Sequence, residues 1–269
     1  GMDLLHKSAY TGGIDLTHEF LDRQYWVQSA VSFSQVNGST SAIYETQTSP
    51  ARYYQRPDAE YVTLDPEATS LSGNSMKLIS GFSKGQYQGA IGFFRTSPGF
   101  EVNDLGYGQR SDKFMQFTWF SVRNWDEGKY LSRYQINFNQ WMDGNSEFDV
   151  QGKGGNVNWN VTFINNWRAG GGIGLNTSGL NTTELRGGPA IYKPANANVW
   201  MNLGSDWRQP LSFRLQGSTF KNDDGVRALN LSPSISYRVM DNLQVSVETS
   251  LGKFSDTWAW RGIALDTNN

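Results

Sequence analysis

Asn156-Val157-Asn158-Trp159-Asn160-Val161-Thr162-Phe163 sets an apolar side chain at every second position, with an amide or hydroxyl between. A period of two belongs to the β-strand, whose successive side chains point to opposite faces. The same reading extends outward in both directions. Upstream, Tyr134, Ile136 and Phe138 oppose Arg133, Gln135, Asn137 and Asn139. Downstream, Leu211, Phe213 and Leu215 oppose Ser212, Arg214, Gln216 and Ser218. Leu229, Leu231, Ile235, Tyr237 and Val239 then oppose Asn230, Ser232, Ser234, Ser236 and Arg238. Leu243, Val245, Val247 and Leu251 oppose Gln244, Ser246, Glu248 and Ser250. Helical periodicity is almost absent, so the fold class is all-β.

The alternation predicts roughly twelve strands. They fall near 9–20, 24–36, 74–83, 86–96, 113–124, 129–142, 146–164, 167–178, 197–206, 210–221, 225–239 and 242–254. Links after odd-numbered strands are short, as at Leu21-Asp22-Arg23, Ser83-Lys84-Gly85 and Met240-Asp241-Asn242. Links after even-numbered strands include three long ones, near 37–73, 97–112 and 179–196. Transmembrane barrels have this asymmetry, with short turns at one end and long loops at the other.

A soluble sandwich would also alternate, so the polar face discriminates. It is rich in Asn, Gln, Ser and Gly and poor in the Lys and Glu of a solvent-exposed sheet. The chain combines 14% aromatic residues with only 18% charged ones and a polar mean hydropathy of −0.54. Strands with one face to lipid and one to water have that composition. Tyr25, Trp26, Tyr87, Trp125, Tyr130, Trp141, Trp167 and Trp207 lie near strand ends, where interfacial girdles form. The reading is an antiparallel up-and-down transmembrane β-barrel, with residues 1–269 a single barrel region of a longer chain. No apolar run of about 18 residues exists, which excludes a transmembrane helix but not a barrel. The net charge of −2 argues against nucleic acid. The absence of cysteine is compatible with the cell envelope and is a weak signal.

Closure of a barrel needs the first and last strands to pair. The end Leu265-Asp266-Thr267-Asn268-Asn269 has no strand finishing on an aromatic, and Trp258-Ala259-Trp260-Arg261 reads as the start of another loop or strand. The N-terminal Gly1-Met2-Asp3-Leu4-Leu5 lacks the features of a secretory signal. Both ends are therefore expected to be those of a piece of a larger barrel.

Arg95, Glu101, Asp104 and Arg110 share the 95–112 segment, where they are expected to form a salt-bridged plug or a ligand-binding rim. Glu101 and Asp104 also invite a glycosidase reading, which needs two carboxyls about 5–10 Å apart; a spacing of three on a loop does not fix that distance. Arg186, before Gly187-Gly188-Pro189, marks a backbone anion nest or a tight fold-back of the loop. Arg123, Arg133, Arg214, Arg238 and Glu248 fall on polar strand faces. There they would favour anionic or hydroxyl-rich solutes, or build an Arg–acid ladder. His6 and His18 make no metal-ligand pattern and read as polar strand residues. No cofactor, metal or catalytic residue is implied. Asp223-Asp224-Gly225 reads as hairpin-turn chemistry.

Arg95-Thr96-Ser97-Pro98-Gly99-Phe100-Glu101-Val102-Asn103-Asp104-Leu105-Gly106, with Arg110-Ser111-Asp112 after it, resembles a hallmark of the DUF5916 family. Leu185-Arg186-Gly187-Gly188-Pro189 is similar to a second loop signature of that family. The resemblance covers roughly residues 10–255. It implies Bacteroidetes-type bacteria and an outer-membrane barrel region following a family-9-like carbohydrate-binding module, which this chain lacks. The implied partners are the lipid bilayer, a glycan or small solute, and envelope proteins. The expected role is solute- or glycan-associated transport or surface anchoring. A carbohydrate-active hydrolase using the loop carboxylates and a soluble binding module stand as alternatives.

Overall fold

The computed structural model describes residues 2–256. Its strands are β1 (His6–Phe20), β2 (Tyr25–Gly38), β3 (Ser70–Lys84), β4 (Tyr87–Thr96), β5 (Lys113–Asn124), β6 (Leu131–Gly144), β7 (Val150–Phe163) and β8 (Arg168–Asn176). A short hairpin follows, β9 (Gly179–Asn181) and β10 (Ile191–Lys193). The sheet continues through β11 (Asn196–Gly204), β12 (Leu211–Asn222), β13 (Arg227–Met240), β14 (Leu243–Glu248) and β15 (Leu251–Ser255). Every pairing is antiparallel, and strands pair in chain order except that β8 pairs with β11 past the separate β9–β10 hairpin and β15 pairs with β13.

The predicted strands are all present, with four differences. Residues 145–149 form a turn, so β7 begins later than expected, at Val150. The last predicted strand divides into β14 and β15, both paired with β13, where Thr249 donates its amide to the Pro233 carbonyl. The long 179–196 link contains the β9–β10 hairpin. The 37–73 link contains helix α1 (Thr40–Thr48), whose first turn is capped by the Ser39 hydroxyl accepting from the Ala42 amide at 3.1 Å. The segment Trp258–Arg261 lies outside the described residues.

Among the described residues, β1 pairs only with β2, and β14 and β15 pair only with β13. The sheet is therefore open, with two free edges, and does not close into a barrel by itself.

Register places one parity of each strand on a common apolar face. Ile14, Val31 and Met76 face the same way, as do Ile91, Phe120 and Phe138, and Val157, Ile173 and Val199. On this face Asp, Glu, Lys and Arg occur only towards the ends. Lys84 lies at the short-turn end, and Arg95, Lys153, Lys221, Arg227 and Lys253 lie towards the long-loop end. Its large side chains are uncovered: Ile14 is 82% exposed, and Ile91 and Ile173 are each 56% exposed. Phe20, Tyr25 and Phe82 form a stacked row at the short-turn end, at 5.7 and 6.3 Å between neighbouring rings.

The other face is polar, and its large rings occupy space left by glycines. Trp26 stands opposite Gly81, Phe117 opposite Gly92, Trp141 opposite Gly154 and Trp200 opposite Gly172. A Cβ on Gly172 would sit 2.4 Å from the Trp200 ring. This corrects the girdle reading for Trp26 and Trp141, which belong to the polar face. The fully buried core is small and lies under the long loops, around Val36, Ala42, Ile43 and Ala59.

Candidate functional site

The polar face carries a network of amides across its middle. Asn137 Oδ1 accepts from Trp119 Nε1 at 3.2 Å and from Gln135 Nε2 at 2.9 Å, while Asn137 Nδ2 donates to Asn158 Oδ1 at 2.8 Å. Asn139 and Asn158 both donate to Asn156 Oδ1, at 2.7 and 2.8 Å. Alternation puts these amides on one face, and antiparallel pairing sets them side by side.

A cap of long loops covers the polar face at one end. The Glu101 amide donates to Ser34 Oγ at 2.8 Å, on the polar side of β2. Gly73 of β3 lets the backbone of Phe100 lie against the sheet, since a Cβ there would be 2.1 Å from the Phe100 nitrogen. Arg52 of the 39–69 loop pairs with Glu101 at 2.7 Å, with side-chain exposures of 2% and 4%. Arg52 Nη2 also donates to the Phe100 carbonyl, while its buried Nε has no hydrogen-bond partner. Asp112, at φ 51°, accepts from the Ser146 amide and hydroxyl at 3.1 and 2.8 Å and from the Tyr61 hydroxyl. Burial, reinforced by Asp112, pushes the Tyr61 hydroxyl pKa upward. Burial likewise raises Tyr54 to about 12.

The cap also spans the sheet. Asp58 accepts from the Ala190 amide at 2.8 Å and pairs with Arg56 at 3.1 Å. Burial would raise the Asp58 pKa, but the Ala190 amide and the Arg56 guanidinium outweigh it and hold it below the usual value. This bond joins the β2–β3 loop to the β8–β11 loop. A flat sheet would keep β3 and β8, five positions apart, about 24 Å from each other. The two long loops bridge that distance.

The predicted loop residues do not pair with one another. Glu101 goes to Arg52, and Asp104 goes to His6 at 2.5 Å. Arg110 donates to Thr182 at 2.7 Å. By strand parity Arg95 belongs to the apolar face, beside Phe93. There it donates to the Ser146 carbonyl at 2.9 Å, lies 3.7 Å from Glu147 and covers the Phe148 ring. The contacts expected within one segment are instead made between segments. Arg186 sits at φ 48° in a tight fold-back, where its amide and that of Gly188 are used in turn bonds. His6 ties β1 to two loops, reaching Thr46 at 2.7 Å as well as Asp104. His18 stacks on Phe20 on the apolar face. Gly225, at φ 92°, closes the predicted 223–225 turn, its amide donating to Asn222.

The lumen candidates separate into two groups. Arg133, Arg214 and Glu248 share one cross-strand row. Arg214 and Glu248 line a cavity of about 560 Å³ together with Arg168, Asn202, Gln216 and Trp207. Arg168 also lines the neighbouring cavity with Arg133 and Trp125. Arg123 and Arg133 lie over the Trp125 ring at 5.8 and 5.9 Å. Arg238 is four residues beyond Ser234, the partner of Arg214, and lines neither cavity. The predicted Arg–acid ladder is absent among the described residues, because no acid stands across from these arginines within ion-pair reach. Arg168 was not foreseen. It precedes Gly170-Gly171-Gly172, and glycines carry no face signal, so the alternation is unreadable there.

These features define a class of protein: an all-antiparallel, two-faced sheet whose polar face is lined with amides, with a loop cap at one end and a basic row towards the other. The chain belongs to the DUF5916 family, "Domain of unknown function (DUF5916)", whose family model matches residues 25–267. No curated protein matches the chain, and no solved structure does.

Proposed function

We propose that this chain forms part of the wall of a bacterial outer-membrane β-barrel. Its polar face lines a water-filled lumen, and the protein passes or holds a hydrophilic, glycan-derived solute beneath the loop cap. The observation that carries the reading is the apolar face, free of Asp, Glu, Lys and Arg between its ends. Large, uncovered side chains on so many consecutive strands are far more than a water-facing surface tolerates, and lipid is the partner that matches them. Strands such as β3, with 15 residues, and β8, with 9, suit the roughly 9–11 tilted residues that cross a bilayer. The free edges of β1 and β14–β15 suit closure against further strands. No hydrolytic role is assigned, since Glu101 and Asp104 are held by different partners.

The chain has no cysteine, so single labels can be placed cleanly. Ile91→Cys, Ile173→Cys and Asn158→Cys variants are labelled with an environment-sensitive fluorophore in membranes carrying the intact protein. Spin-labelled lipid should quench the first two and aqueous iodide only the third. Equal iodide quenching at all three positions refutes the membrane reading.

A further inference from the structure

Arg133, Thr162, Arg168, Gly204, Arg214, Ser234 and Glu248 form a continuous row of cross-strand partners on the polar face. Arginine thus recurs on every second strand, and the residues between are small. Strands lie about 4.8 Å apart, so neighbouring arginines in the row have backbones roughly 10 Å apart. That separation is too wide for one guanidinium to fill the space of the next, and it leaves room for a small molecule between them. The cavity of about 560 Å³ opens over Arg168 and Arg214, a size within the usual range for small-molecule sites.

The charges in this cavity are uncommitted. Among the described residues, the side chains of Arg168 and Arg214 have no hydrogen bond, ion pair or ring contact. The nearby acid Asp206 is already taken by Arg208, whose Nη2 lies 2.8 Å from its carboxylate. Those hydrogen bonds hold Asp206 at about 2, so it remains a satisfied anion at any ordinary pH. Glu248 is the one acid in the row, and it lines the far side of the cavity. Amides and serine hydroxyls make up most of the rest, together with Leu203, Phe213 and Trp207.

We propose that this cavity binds a hydroxyl-rich anion, a sugar bearing a carboxylate or phosphate group. Planar guanidinium groups match those anions bidentately. Glu248, Asn202 and Gln216 supply acceptors and donors for ring hydroxyls, and Trp207 offers an apolar ring face to the sugar. The site rests on the reading that the polar face meets water. It does not depend on what covers the apolar face.

Calorimetric titration of the detergent-solubilised intact protein tests it, with glucuronate, glucose 6-phosphate and glucose as probes. At least one anionic sugar should bind tenfold or more tightly than glucose, and its identity distinguishes a carboxylate from a phosphate ligand. Arg168→Gln/Arg214→Gln should weaken that binding at least thirtyfold, and Arg186→Gln in the distant loop should leave it unchanged. Retained circular-dichroism and heat-modifiability signatures would show that the double variant folds. Equal affinity for charged and neutral sugars, binding of none of the three, or undiminished binding by the folded double variant overturns the proposal. Binding in detergent together with failed lipid quenching would keep this site and remove the membrane reading.

Discussion

Replacing Glu101 by Met tests how the loop cap is held. Glu101 and Arg52 are both almost fully buried at 2.7 Å, and Glu101 Oε1 also accepts from the Asn103 amide at 2.5 Å. The variant leaves the Arg52 charge buried with the Phe100 carbonyl as its remaining partner. Removing one member of a buried ion pair costs about 3–5 kcal/mol. At 1.4 kcal/mol per tenfold change, the equilibrium for opening the cap should rise from about 10²-fold to about 4 × 10³-fold. Removing both charges, in Arg52→Met/Glu101→Met, leaves neutral groups short of partners, at about 1–3 kcal/mol. The double variant should therefore be the more stable of the two. Hydrogen exchange reads this directly at the Ser111 amide, which donates to the Ala51 carbonyl at 3.1 Å across the same loops. The amide of Asn158, in the middle of the sheet, is the control. The reasoning fails if the single variant changes Ser111 protection less than tenfold, or if the double variant loses as much as the single.

Two further outcomes follow from the same geometry. Asp58 has a lowered folded pKa, so its contribution is present above the ordinary Asp value of about 3.9 and is lost as pH falls through the lowered value. Tyr61 has a raised pKa, so its contribution is present below the ordinary Tyr value of about 10 and is lost as pH rises through the raised one. Loop protection should fall at both extremes, and ultraviolet tyrosinate titration should lose one late-ionising group in Tyr61→Phe; an unchanged titration counts against the Tyr61–Asp112 bond. Gly172→Val should drive a Cβ into the Trp200 ring, at 2.4 Å in the present geometry, and cost about 1–3 kcal/mol of stability by overpacking. Thermal unfolding measures this, and Gly172→Val/Trp200→Ala should recover part of the loss.

How much of this was legible in the sequence depended on local signal. Runs such as 156–163 within β7 alternate cleanly, so the strand's existence and faces could be read, though not its start. Arg214 and Glu248 could be assigned to the polar strand face because they sit inside such runs. Arg168 was hidden by the glycines after it, which fit either face. Helix α1 was hidden because Thr40–Thr48 has little apolar periodicity; Ser39 capping and the burial of Ala42, Ile43 and Gln47 hold it. The cap's charge pairing was illegible for a different reason. Arg52 and Glu101 are 49 positions apart in chain numbering, in loops without periodicity, and only the return of the chain over β2 and β3 joins them. Trp26 and Trp141 were placed at a girdle by their closeness to strand ends, whereas register with Gly81 and Gly154 sets their faces.

The two faces of this sheet place opposite demands on the same residues. An apolar face needs large side chains, while each ring on the polar face takes up the room of its cross-strand neighbour. The sequence meets both by alternating size as well as polarity. Trp200 on the polar face lies opposite Gly172, while Ile173, one residue along, keeps its bulk on the apolar side. The amides of Asn137, Asn156 and Asn158 satisfy one another where the face is most crowded. Towards the short turns, Gly204 and Ser234 flank Arg214, whose guanidinium has no side-chain partner among the described residues. Polar groups are thus largely paired in the middle of the face and under the cap, where the Arg52 Nε is left over; in the basic row Arg133 bonds Thr162, while Arg168 and Arg214 have no side-chain partner among the described residues. Among the described residues, Arg208 is paired with Asp206, while the exposed Arg168 and Arg214 have no side-chain partner. Their lack of a partner is the feature of this chain that most directly calls for a ligand.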